Sequence, residues 1–467
     1  MLFSSISFLY YFLPIVIIVY FMVPRRIKNL ILLLSSLFFY FCGEPGYLVV
    51  MASACISGYL HGLWIDKARG RRYAKISLIS SAFFSIGPLL FFKYTGFAVK
   101  NINAILGSEI PLLNMALPIG ISFYTFQILS YAIDVYRGHT KVQVSFIDFA
   151  AYVSLFPQLI AGPIVRYTDV ERALSGRTHS FADIAYGVNR FVIGLSKKVI
   201  IANSLGELAD IFQKSGDKTV LFYWIQAFAF MLQIYFDFSG YSDMAIGLGR
   251  IFGFHFPENF NYPFISKSLT EFWRRWHISL GTWFRDYIYI PMGGNRKGTA
   301  KWLWNIVVVW FLTGFWHGAE WNFVLWGLYF ASLLCIEKLF LLRRLEKAPV
   351  MARHIYMLFF ILISFVLFNG NGLTECISNL KGMLGLSGAP LFNAETLYYL
   401  KSYLVIFLIA VVGSTPLPKK LIGRIKKSGK CRLLVNVLEP VMQVSLLLLV
   451  TAFLIDGSFN PFLYFRF

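Results

Sequence analysis

The chain has 467 residues, of which 57% are hydrophobic, 18% aromatic and only 14% charged, and its mean hydropathy is +0.64. Soluble globular chains carry about 25% charged residues, so this composition excludes a water-soluble enzyme and predicts a single membrane domain over residues 1–467. The net charge of +20 does not indicate nucleic acid, because Lys and Arg sit in short clusters between apolar runs, with no nucleic-acid motif beside them.

A helix needs about 20 apolar residues to cross the hydrocarbon of a bilayer. Apolar runs near 3–23, 27–43, 47–65, 76–97, 115–136, 184–203, 219–238, 302–317, 321–342, 354–369, 398–415 and 434–455 therefore predict an all-α, polytopic transmembrane protein with about 11–12 spans. Re-entrant and interfacial helices around a central funnel or tunnel complete the expected architecture. The first run, Phe3 to Val23, lacks a basic start and a small-residue cleavage site and is followed by Arg25-Arg26, so it reads as a retained helix rather than a signal peptide. The stretches near 147–164 and 241–265 are broken by Phe156-Pro157, Gly162-Pro163, Gly240, Pro257 and Pro263, which predicts re-entrant segments there.

The positive-inside rule places Arg25-Arg26-Ile27-Lys28, Lys67 to Lys75, Arg343-Arg344 and Lys419 to Arg432 in the cytoplasm of a cell with this protein in its inner (cytoplasmic) membrane. Both termini, including Asp456 to Phe467, are then expected outside. Five cysteines without CxxC spacing indicate neither a metal site nor a disulfide framework. No internal repeat of paired broken helices is visible, which argues against a carrier.

Along the chain, Asp134 and Arg137 stand at helical spacing and read as a structural staple. Asp237, Ser239, Tyr241, Ser242 and Asp243 either line a polar path or brace a re-entrant turn through Gly240. The densest polar and aromatic cluster lies in the 266–298 region, predicted to be a cytoplasmic interfacial helix and loop. As one helix it would put Trp273, Trp276, Leu280, Trp283 and Tyr287 on an aromatic face and Arg274, His277, Gly281 and Arg285 on a basic one. That pattern fits a membrane-surface anchor, and it equally fits Arg274, His277 and Arg285 facing an anionic ligand that enters from the cytoplasm, with its phosphates on the guanidinium groups. In the 302–342 helix pair, Trp302 to Trp316 is apolar and ends Thr313-Gly314-Phe315-Trp316-His317-Gly318-Ala319-Glu320. An ionisable residue beside a span is costly and marks function, and a neutral imidazole there can accept a proton from a hydroxyl or thiol. A histidine satisfied by Glu320 is the structural reading of the same residue. Gly314 and Gly318 read as space for a substrate near the backbone.

These residues carry a family resemblance. Glu271-Phe272-Trp273-Arg274-Arg275-Trp276-His277-Ile278-Ser279-Leu280 and Phe315-Trp316-His317-Gly318 resemble the signature of the membrane-bound O-acyltransferase superfamily, in its AlgI-like bacterial branch. The similarity extends to Met1-Leu2-Phe3-Ser4-Ser5, Gln127, Tyr131, Asp134-Val135-Tyr136-Arg137-Gly138, Phe156-Pro157-Gln158-Leu159-Ile160-Ala161-Gly162-Pro163, Asp237 to Ala245, Pro291-Met292-Gly293-Gly294-Asn295 and Phe465-Arg466-Phe467.

The resemblance implies that His317 is the superfamily's intramembrane catalytic histidine and His277 its second position. It also implies acetyl-CoA as donor substrate and an extracytoplasmic SGNH-type acetyltransferase as the partner that completes O-acetylation of an exported polysaccharide; no tightly bound cofactor and no metal are expected. In that scheme coenzyme A enters from the cytoplasm with its phosphates near Arg274 and Arg285. His317 acts as general base or as acetyl carrier, and His277 orients the thioester or the leaving thiolate. D-alanyl transfer to teichoic acid and transport of a polysaccharide or lipid intermediate are the alternatives. One difficulty is geometric: a straight helix from Lys301 carries His317 about 24 Å inward, away from a surface-bound His277.

Overall fold

The computed structural model describes residues 2–113, 115–160, 162–427, 429–456 and 463. Met1, Ala161 and the terminal Phe465-Arg466-Phe467 lie outside them, as does most of Asp456 to Phe467. Among the described residues every regular element is helical. Among the described residues seven helices are long and apolar enough to cross a membrane: Arg25–Gly43, Pro45–Lys67, Tyr73–Leu106, Val220–Ile251, Trp321–Lys347, Val350–Asn369 and Asn436–Ile455. The bent pair Ala394–Ser402 and Leu404–Gly413, angled at 49°, raises that number to eight if it forms one span. Other predicted spans are occupied by shorter helices such as Phe8–Met22.

The chain packs as two units, Met1–Phe191 with Ser242–Pro257, and Val192–Tyr241 with Glu258–Phe467. The first contains α1 (Leu13–Met22), α2 (Lys28–Gly43), α3 (Leu48–Lys67), α4 (Tyr73–Leu106), α5 (Ile121–Arg137), α6 (Phe146–Ser154), α7 (Phe156–Leu159) and α8 (Tyr167–Ser175). Its core includes interlocked phenylalanines: Phe8 meets Phe3 at 4.7 Å and Phe39 at 5.8 Å, and Phe39 meets Phe156 at 5.8 Å. The break between α6 and α7 is the one expected before Phe156-Pro157. Its freed backbone is satisfied locally, since Phe156 N–H donates to Ser36 Oγ at 3.0 Å.

A polar knot ties five segments of this unit. Arg177 donates from Nε to Tyr20 Oη at 2.7 Å and from Nη1 to Asn29 Oδ1 at 2.6 Å. Asn29 Nδ2 donates in turn to Asp148 at 2.7 Å, and Tyr20 Oη donates to the Phe252 carbonyl at 2.9 Å.

Helices α9 (Phe181–Ser196), α10 (Asn203–Lys214) and α11 (Val220–Ile251) follow in the chain. Contrary to the re-entrant expectation for 241–265, α11 runs unbroken through Gly240. The glycine is there for close packing: a Cβ on Gly240 would stand 2.7 Å from the Gly194 carbonyl oxygen. The acids of this stretch are held by partners. Asp237 lies 2.6 Å from Lys198 Nζ and accepts from Leu463 N–H at 2.8 Å, and Arg190 meets Asp243 at 2.7 Å.

The second unit continues with α12 (Leu269–Arg275), α13 (Ile278–Phe284), α14 (Thr299–His317), α15 (Trp321–Ile336), α16 (Leu342–Lys347), α17 (Val350–Asn369), α18 (Leu373–Met383), α19 (Ala394–Ser402), α20 (Leu404–Gly413), α21 (Leu417–Lys427) and α22 (Gly429–Ile455). Helices α14 and α15 form a hairpin whose crossing is set by two glycines. A Cβ on Gly314 would meet the Phe323 carbonyl oxygen at 2.3 Å, and one on Gly327 the Trp310 carbonyl oxygen at 2.4 Å. Gly314 and Gly318 thus make room for protein rather than substrate, because the Phe323 ring occupies the space beside Gly318, 2.1 Å from where its Cβ would lie. Helix α17 packs on α15, with Tyr329 Oη donating to the Phe360 carbonyl at 2.9 Å.

Candidate functional site

The 266–298 segment is not one amphipathic helix. It breaks after Arg275, and His277 adopts a left-handed backbone (φ 45°, ψ 52°) as the residue that opens α13. A non-glycine residue in that region is strained and persists only where neighbours over-determine it. The neighbours are the 259–261 segment. Ile278 N–H donates to the Asn259 carbonyl at 3.0 Å, and Asn261 N–H donates to the Arg275 carbonyl at 2.9 Å. Further back, the N-terminus of α12 is seated on a fully buried carboxylate, with Leu269 and Thr270 N–H each donating to Glu337 at 2.8 Å. Orphan N–H groups at a helix start are satisfied here by a charge-assisted bond from another helix.

The break turns His277 inward, where it is 2% exposed. Its ring stands edge-on to Phe238 of α11 at 4.7 Å and lies 6.3 Å from the Trp316 indole. His317, the last residue of α14, is 7% exposed and meets the same indole at 5.0 Å. The two histidines therefore converge on Trp316. A surface location for His277 is replaced by a buried one, which removes the geometric difficulty of a distant His317.

Around His317, Trp326 of α15 and Phe368 of α17 present perpendicular rings at 5.1 and 5.3 Å. Trp273 and Trp310 extend the wall, 4.6 Å apart, with Trp273 5.7 Å from Trp326. The indole N–H groups of Trp273 and Trp326 are buried without a hydrogen-bond partner among the described residues. Such groups offer donors to an oxygen that develops charge in a dry site. Burial lowers the His277 pKa to about 3, so its imidazole is neutral at working pH.

Arg274 and Arg285 are placed differently from the histidines. Both are exposed, and Arg285 already forms a two-pronged pair with Asp286, at 2.6 Å from Nε and 3.1 Å from Nη2. Arg275 is engaged with Glu271 at 2.9 Å. The break at His277 separates it from the face that a continuous helix would share with these arginines. Among the described residues no group of three or more His, Cys, Asp or Glu is arranged to hold a metal ion.

Sequence reasoning missed Asn259, Trp326, Phe368 and Glu337. Only Asn259 carried a local signal, in the turn-forming run Pro257-Glu258-Asn259-Phe260-Asn261-Tyr262-Pro263. The others come from helices distant in sequence.

Long apolar helices and two buried histidines beside one indole are the features on which the family comparison bears, and the chain belongs to the membrane-bound O-acyltransferase family, whose profile matches residues 135–378. It is a multi-pass membrane acyltransferase of the AlgI-like branch. The chain is 38% identical over 502 aligned positions to the probable alginate O-acetylase AlgI of Azotobacter vinelandii, covering all of both proteins. It is 34% identical to the peptidoglycan O-acetyltransferase of Helicobacter pylori over 84% of this chain and 81% of that one. Similarity to the teichoic acid D-alanyltransferase of Bacillus subtilis is 31% identity over 48% of this chain and 59% of the other.

Proposed function

We propose that this acyltransferase takes an acetyl group from cytoplasmic acetyl-CoA and passes it across the inner membrane for O-acetylation of an exported polysaccharide, with an extracytoplasmic SGNH-type acetyltransferase as the final carrier. The observation that carries this reading is the convergence of His277 and His317 on Trp316 among buried aromatic side chains. End-to-end similarity to a probable alginate O-acetylase supports acetyl as the group and polysaccharide as the destination.

In the reaction, His317 takes the proton of the attacking hydroxyl as its oxygen bonds to the acetyl carbon. The carbon–sulfur bond breaks, and the thiolate leaves and is protonated. His277 orients the reacting group, and the buried indole N–H groups of Trp273 and Trp326 face the carbonyl oxygen as it gains charge. Arg274 and Arg285 are the cationic side chains proposed to meet the phosphates of coenzyme A, for which Arg285 exchanges its Asp286 partner. Both termini lie outside the cell in this topology, and a path through the protein lets acetyl cross while coenzyme A stays within.

Membranes containing wild-type protein or His317→Ala are supplied with labelled acetyl-CoA and the SGNH partner, and the surface polysaccharide is read by mass spectrometry. The expected result is loss of O-acetyl groups in the variant at equal expression and insertion. Transfer that survives in His317→Ala removes the catalytic assignment. Labelling by D-alanyl from a charged carrier protein, with none from acetyl-CoA, replaces the acetyl reading with teichoic-acid chemistry.

A further inference from the structure

The side chain of Asn259 is fully buried and its oxygen holds three groups of the His277 turn. Oδ1 accepts from Ser279 N–H at 3.2 Å and from Ser279 Oγ at 2.9 Å, and it lies 3.1 Å from His277 Nδ1. The orientation of the amide follows from the first of these bonds. A backbone N–H can only donate, so the atom facing Ser279 N must be the oxygen and not the NH2 group.

An amide oxygen, in turn, can only accept, so His277 Nδ1 bears the ring proton. A neutral imidazole with its proton on Nδ1 carries a lone pair on Nε2. That Nε2 is buried and has no hydrogen-bond partner among the described residues, in a ring that faces Phe238 and Trp316.

From this geometry we infer that Asn259 is a positioning residue for acyl transfer, locking His277 in the Nδ1–H tautomer so that Nε2 meets the substrate as a hydrogen-bond acceptor. The partner it selects is an N–H or O–H of the substrate, such as the amide of a pantetheine arm or an acceptor hydroxyl. A neutral Nε2 cannot donate to a thioester carbonyl or stabilise a leaving thiolate, which assigns those tasks to other groups in the cage. Asn259 also holds the strained turn, since its backbone carbonyl receives Ile278 N–H while its side chain caps Ser279. The inference rests on the acyl-transfer reading for its catalytic consequence but not for the tautomer.

The test uses the full-length protein in lipid with nitrogen-15 labelled histidine. The His277 signals are identified by their loss in His277→Gln, and solid-state NMR reports which ring nitrogen carries the proton. The expected wild-type spectrum has a protonated Nδ1 and a pyridine-type Nε2 for His277, and Asn259→Asp keeps that pattern. Asn259→Leu is expected to lose it, with a fall in kcat of about 10- to 100-fold and little change in KM, at or below the lower end of the roughly 10²–10⁴-fold that a positioned acid–base group supplies, because Asn259 acts through His277. In Asn259→Asp a carboxylate beside Nδ1–H favours the imidazolium, so the acid limb of the kcat profile moves to higher pH. A wild-type spectrum with the proton on Nε2 overturns the inference, whether or not any acetyl transfer is detected. An unchanged tautomer and kcat in a folded Asn259→Leu does the same. If Asn259→Leu does not fold, the wild-type spectrum and the Asn259→Asp profile decide.

Discussion

Replacing Gly314 by alanine asks whether the hairpin crossing sets the geometry of the site. The new Cβ would stand 2.3 Å from the Phe323 carbonyl oxygen, 3.0 Å from Gly327 Cα and 3.1 Å from Gly327 N. Ordinary contact begins near 3.4 Å, and the obstacles are backbone atoms that cannot rotate away. Helices α14 and α15 must therefore part by about 1 Å, a displacement of the order that costs about 10²-fold in rate when it falls on reacting groups. It falls on them directly, because His317 ends α14 three residues later and Trp326 on α15 faces its ring at 5.1 Å. In stability, overpacking costs about 1–3 kcal/mol and is offset in part by about 1 kcal/mol of helix propensity. Acetyl transfer should thus fall far more than the unfolding temperature. The control is Gly96→Ala in α4, where nothing lies within 4 Å of the new Cβ, and both rate and stability should be retained or improved. If Gly314→Ala keeps more than half of the wild-type rate, the crossing does not set the distance between His317 and its cage.

The buried pair of Lys198 and Asp237 gives a different signature, since the two side chains are 4% and 1% exposed. Asp237→Asn leaves an uncompensated buried ammonium and should destabilise by about 3–5 kcal/mol in detergent unfolding, whereas Lys198→Met with Asp237→Leu should recover most of that loss. Equal stability of the single and double variants would refute a coupled pair. Glu337→Gln replaces one acceptor under the Leu269 and Thr270 N–H groups with a donor, and should cost about 1–3 kcal/mol. Because that carboxylate seats α12 ahead of the His277 turn, kcat should fall with stability. Unchanged thermal unfolding would show that α12 is held by packing alone.

The all-helical membrane character and the candidate role of His317 were legible without coordinates, because both are local properties. Apolar run length reports the cost of burying backbone in lipid, and an ionisable residue closing an apolar helix stands out against that cost. What tertiary structure decided is everything that depends on groups distant in the chain. Gly240 reads locally as a breaker, yet α11 continues through it because the Gly194 carbonyl fills the space a side chain would take. Residues 271–287 read as one helix by periodicity, yet the chain turns at His277 because Asn259 supplies hydrogen bonds from eighteen residues upstream. The same turn removes His277 from the arginine face and carries it to Trp316, where it joins His317. Periodicity records which face of a helix is apolar, but not which distant carbonyl or amide will compensate a break, and the meeting of the two histidines rests on such compensation.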